Sequence, residues 1–129
     1  MEAENMMDEH RREWALRFIR EAKAELEAAR KIPYMAPRFL AEAVRKAQSA
    51  VYYSLGEPAY MENLVKELRG QRKMVTDPIL RCIISIDEDV QILMQQEFFE
   101  GKDAMKRAGN LVKLASEIVE TLTGEKPRN

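Results

Sequence analysis

Cysteine and histidine are almost missing from this chain of 129 residues: Cys82 and His10 are each the single example of their kind. One cysteine excludes an intrachain disulfide and any zinc site built from several thiolates. It also sets the expectation of a reducing compartment, the cytoplasm. No Glu-x-x-His step occurs, which argues against the carboxylate-bridged di-iron bundles. Ser/His/Asp or Cys/His catalysis would have to draw on His10 and Cys82, far apart in the chain. The 5 glycines are isolated, so no loop cradles a phosphate on successive backbone N–H groups, and with only 5 prolines the chain has few breakers. No apolar run approaches the roughly 20 residues of a membrane span. The opening "MEAENMMDEHRREW" is acidic and polar where a signal peptide would be cationic and then apolar. Neither sign of charge dominates: 21 Lys+Arg stand against 22 Asp+Glu, so no overall field draws the molecule to nucleic acid or membrane.

What is present is helical periodicity. Charged residues at 33% and apolar residues at 46% suit one compact helical domain over residues 1–129, with 1–7 and 125–129 expected to fray. Asp8 is the expected cap of a first helix running to about Lys31, with Ala15, Phe18, Ala22, Leu26 and Ala29 on one face. Pro33 breaks it, because a proline disfavours helical geometry in the residue before it. Pro37 opens a second helix on which Leu40, Ala43, Val44, Ala47, Val51 and Leu55 share a stripe, and Gly56 is its expected left-handed end. Pro58 begins a short third helix that Gly70 closes. Asp77-Pro78 pairs an N-cap with a first-turn proline, and the fourth stripe is Ile79, Cys82, Ile83, Ile86, Val90, Leu93, toward Phe98. Its "CIISI" is β-branched, but the 3.6 period persists and no strand partner exists. Glu100-Gly101 should end it. Asp103 should cap a last helix from Ala104 to Thr123, with Gly124 after it. The fold class is all-α: an up-and-down antiparallel bundle of four or five helices.

Candidate chemistry is sparse. Asp8, Glu9 and His10 are consecutive, so on a helix they point apart and do not converge on a metal ion. Glu97, Glu100 and Asp103 straddle the Gly101 break, and Asp87-Glu88-Asp89 reads as the wet side of the fourth helix. Paired Glu-x-x-Glu and Glu-x-x-Asp boxes on separate helices, the pattern of a MazG-like pyrophosphohydrolase, are not found. Cys82 reads as a small core residue. The most basic stretch is "RGQRK": Arg69, Arg72 and Lys73, with Arg45 and Lys46 on the second helix, are the candidate contacts to RNA or a nucleotide. Tyr52 and Tyr53 lie about 100° and 200° round the helix from Val51, so at least one should leave the stripe. With Trp14 and Phe39 they form the candidate dimer or partner surface.

"AVRKAQSAVYYSLGEP", preceded by "FIREAKAELEAARK" and followed by "MENLVKEL" and "DAMKRAGNLVKLASEIVETL", resembles the HEPN superfamily over about residues 12 to 123. Ala43, Ala47, Gln48 and Ala50 carry that family's second-helix pattern. The resemblance implies an up-and-down bundle, usually a homodimer, that accompanies a nucleotidyltransferase or cleaves RNA without metal. The nucleases use an Arg-x(4–6)-His motif late in the chain. No histidine follows His10 here, so the resemblance points to a silent branch. The expected function is therefore non-enzymatic association, with no cofactor and no metal. A small RNA- or nucleotide-binding module comes second, and a metal-dependent nucleotide hydrolase using Asp87, Glu88 or Glu97 comes last.

Overall fold

Alanines seven residues apart line the buried faces of the first two helices. Ala15, Ala22 and Ala29 on the first helix and Ala43 and Ala50 on the second are all buried, as is Ala47 between the latter two. The computed structural model describes the backbone of residues 2–95 and 101–125 and the side chains of 9–95 and 103–125. Among these residues the chain forms α1 (Glu2–Lys31), α2 (Ala36–Leu55), α3 (Pro58–Leu68), α4 (Pro78–Gln95) and α5 (Gly101–Thr123). Single 3-10 turns at Pro33–Met35 and Arg72–Met74 complete it, with no strand among the described residues. The fold is all-α. Helix α2 packs against each of the other four. Lys46 reaches Glu25 at 3.0 Å while Arg11 reaches the Tyr53 carbonyl at 3.3 Å, so α1 and α2 run antiparallel.

The core is one cluster to which all five helices contribute, including Ile19, Leu40, Val65, Ile86 and Val119. Each large aliphatic side chain buried in this way contributes about 1.5–3 kcal/mol relative to exposure. The outward faces carry i,i+3 and i,i+4 pairs such as Arg17–Glu21 and Arg45–Glu42, worth a few tenths of a kcal/mol each.

Several boundaries differ from the sequence reading. Helix α1 begins at Glu2 and contains Asp8, since nothing before Pro33 breaks a run of good helix formers. Gly56 does end α2, but at φ 174, in extended and not left-handed backbone. What prevents continuation is Pro58, which holds Glu57 extended at ψ 121. Helix α5 starts at Gly101, ahead of the expected Asp103 cap. Asp103 instead sits in the first turn, where a carboxylate meets the positive end of the helix. Other boundaries match: Asp77 Oδ1 accepts from the N–H groups of Ile79 and Leu80 at 2.8 and 3.1 Å, and Gly124 is left-handed at φ 74. Phe98, Glu97, Glu100, residue 1 and residues 126–129 lie outside the described residues.

Two core assignments on α4 also change. Ile79, placed in the stripe, is 50% exposed, whereas Ile84 is fully buried. Asp87, read as solvated, is 2% exposed.

Candidate functional site

A type II turn builds the site. Arg69 occupies its second position at φ −58, ψ 130, and Gly70 its third at φ 83, where only glycine sits without a Cβ clash. The Leu68 carbonyl accepts from the Gln71 N–H at 2.9 Å and closes it. This turn ends α3 and brings Arg69 onto α4. There its Nε donates to Asp87 Oδ2 at 2.7 Å and its Nη2 to Oδ1 at 3.1 Å, a bidentate pair with a buried carboxylate.

The same carboxylate accepts from α2. Gln48 Nε2 donates to Asp87 Oδ1 at 3.1 Å and to the Tyr52 hydroxyl at 2.8 Å, so both amide hydrogens are used. Three helices are thereby tied at one buried acid. A carboxylate removed from water needs this degree of satisfaction, since an isolated buried charge costs several kcal/mol. No buried side-chain polar atom among the described residues lacks a partner.

Above the network lies a cleft of about 490 Å³ between α2, α3 and α4. Arg45, Lys66 and Arg69 line it with Glu62, and Ser49 and Gln91 add neutral polar groups. Burial pushes the Tyr52 hydroxyl well above the ordinary tyrosine value, and the Asp87 and Glu62 carboxylates add to the effect. A raised acid titrates late: the phenol's contribution to stability is complete below its unfolded value of about 10 and is lost as pH rises through the folded one. Alkaline titration at 295 nm should therefore show one tyrosine fewer ionising in the folded protein than in urea. Tyr52→Phe should abolish that difference, and its persistence in the variant would refute the assignment to Tyr52.

The chain matches no protein-family model, no curated protein and no solved structure.

The sequence-selected residues divide between several places. Of the five cations, Arg45 and Arg69 share the cleft. Lys46 faces α1 instead, where it pairs with Glu25 at 3.0 Å and Glu21 at 3.3 Å. Burial opposes its charge, but the hydrogen bonds it donates to these two carboxylates outweigh that and raise its pKa. Arg72 turns to α4, donating to Ser85 Oγ at 2.9 Å and lying 3.8 Å from Glu88. Lys73 is exposed on the adjoining turn. The basic stretch is thus dispersed.

The aromatic residues are engaged within the chain. Tyr52 is 8% exposed and belongs to the polar network. Tyr53 is half-buried, stacked on Trp14 at 6.2 Å and tilted against Phe18 at 5.5 Å, joining α2 to α1. Arg17 lies 4.9 Å over the Trp14 ring, and Phe39 packs half-buried against the core. His10 accepts a hydrogen bond from Trp14 Nε1 at 3.1 Å. No group of three His, Cys, Asp or Glu side chains among the described residues is placed to hold a metal ion.

An exposed apolar groove lies elsewhere. Ile79, Leu114 and Leu122 are 50%, 36% and 38% exposed and line a groove of about 330 Å³ between α4 and α5. Cys82, read as core, is half-buried in its wall.

Sequence reasoning missed Asp87 as a buried residue and Lys66 as a cleft cation. A signal for Asp87 existed: it falls four residues after Ile83 and three before Val90, both buried, on the core side of the helical period. Its charge alone directed it to solvent in the reading of the sequence.

Proposed function

We propose that this protein is a non-enzymatic, HEPN-like up-and-down helical bundle that works by association, as a homodimer. The observation that carries the reading is the apolar groove between α4 and α5. Ile79 and Leu122 stand on its two helices, and Cys82 and Ile118 line it with them. An apolar groove with exposed Ile79 and Leu122 on its helices is a surface that a second copy, related by a two-fold axis, can cover with the same residues. The covered face would then join α4 and α5 of both copies into a four-helix arrangement. Asp87 supports the non-enzymatic part: bound by Arg69 and Gln48, it is placed to hold helices together and not to take a proton from a substrate. The resemblance in the second helix supplies the HEPN-like part and names a nucleotidyltransferase as the alternative partner for the same face.

Light scattering on the purified chain at high micromolar concentration tests this. Twice the chain mass is expected for the native protein and the single-chain mass for an Ile79→Glu, Leu122→Glu double variant. A native protein that stays monomeric throughout would overturn the homodimer.

A further inference from the structure

We infer that the cleft between α2, α3 and α4 binds a small phosphate ester of nucleotide size, its phosphate held by Arg45, Lys66 and Arg69. The cleft volume of about 490 Å³ falls within the range of roughly 300–1,000 Å³ typical of small-molecule sites. Its charged lining is Arg45, Lys66 and Arg69 against Glu62 and Asp87, three cations to two carboxylates. Asp87 is at the bottom of that balance: 2% exposed and already accepting three hydrogen bonds, it offers no room to a ligand. Its charge cancels that of Arg69, so the excess cation facing the cleft comes from Arg45 and Lys66 against Glu62.

Asp87 does more than neutralise. By taking Nε and Nη2 it fixes the guanidinium plane and leaves Nη1 as the nitrogen not committed to it. A pre-oriented guanidinium loses less freedom when an anion arrives. Tyr52 is similar, since its hydroxyl accepts from Gln48 and keeps its own proton for an acceptor. Burial keeps that proton in place well beyond neutral pH.

The other two cations are held loosely. Lys66 lies 3.6 Å from Glu62 with both side chains more than half exposed, and Arg45 donates to Glu42 at 2.8 Å at the rim. Exposed pairs of this kind are worth well under 1 kcal/mol, so either cation can turn to a doubly charged phosphate, whose bonds are charge-assisted. Glu62 is then released to accept from hydroxyl or amino groups on the remainder of the ligand.

The arrangement fits one phosphate and not a polymer. A nucleic-acid strand needs cations along a track. Here Lys46 is bound on the α1 side and Arg72 is turned to Ser85 and Glu88. Arg45, Lys66 and Arg69 line one cleft, and Lys73 stands apart from it on the exposed turn.

Calorimetric titration of the full-length chain at low salt tests the assignment with three probes: inorganic phosphate, a nucleoside monophosphate, and a short single-stranded RNA lacking terminal phosphates. The expected result is saturable binding of the monophosphate, at least tenfold weaker binding of inorganic phosphate, and weakening of both as salt rises. Lys66→Ala and Arg45→Ala, both at exposed positions, should each lower monophosphate affinity by about tenfold while circular dichroism stays unchanged. Inorganic phosphate binding as tightly as the monophosphate would overturn the nucleotide-sized ligand. No binding of either at millimolar concentration, or binding indifferent to both substitutions, would overturn the site. Preference for the RNA would overturn the single-phosphate reading. The outcome is independent of whether the chain dimerises.

Discussion

Arg69→Ala should destabilise the protein by about 2–4 kcal/mol, and Asp87→Ala by less. The asymmetry follows from burial. Asp87 is 2% exposed while the Arg69 side chain is 41% exposed. Without Arg69 the carboxylate is left in the interior with Gln48 as its remaining donor, and it has nowhere to go. Without Asp87 the guanidinium can turn into water, and the main loss is the Gln48 amide's partner. The expected cost for Arg69 is set below the 3–5 kcal/mol of a deeply buried pair, because truncation also opens a path for solvent. Replacing both partners by apolar groups, Asp87→Leu with Arg69→Met, should return stability to within about 1 kcal/mol of the native protein. Urea unfolding of the three variants checks all of this in one series. If Asp87→Ala proved the costlier single change, the network would be held by something other than the demand of a buried charge.

That network also shows what a sequence can and cannot reveal. The helices were legible because their breakers and stripes are local properties: Pro33, Pro58 and Asp77-Pro78 fall at or beside helix boundaries. The start of α1 was less legible, since Asp8 is a good cap but nothing before it forbids helix. The site was legible only in fragments. Gln48 belonged to a family-like pattern, Tyr52 to a candidate interface, Arg69 to a basic loop and Asp87 to an acidic run. Their meeting depends on the relative placement of α2, α3 and α4, which no single helix encodes. The glycine at position 70 carried the one local clue: a positive φ directly after Arg69 turns that residue away from the axis of α3 and onto α4. The apolar residues misled differently. Period placed Ile79 inside, but it borders the open groove beside α5 and is left half exposed.

The second large effect concerns the alanine seam. Ala22→Leu and Ala50→Leu should each cost about 1–3 kcal/mol, because added methylenes in a filled interior force rotamers and backbone aside. Both alanines are fully buried. The antiparallel register, with Lys46 against Glu21 and Glu25 and Tyr53 against Trp14 and Phe18, puts Ala50 within about one turn of the level of Ala22. About three residues of helix separate the two levels, roughly 5 Å, close enough for the two costs to couple. The double variant should therefore depart from the sum of the two single changes, and should still lose a large part of what a domain of this size has in hand. Ala24→Leu is the control: Ala24 is exposed on the same helix, leucine is nearly as good a helix former, and a change within ±0.5 kcal/mol is expected. Thermal melts of the four proteins decide it. Equal stability of Ala22→Leu and Ala24→Leu would mean that α1 and α2 do not depend on small side chains to approach, and the heptad spacing of the alanines would need another cause. If the seam is as tight as its burial indicates, it explains why Trp14, Phe18 and Tyr53 gather at its edge. Rings that cannot enter between two closely spaced helices stack along their margin, where they shield the alanine contact from water.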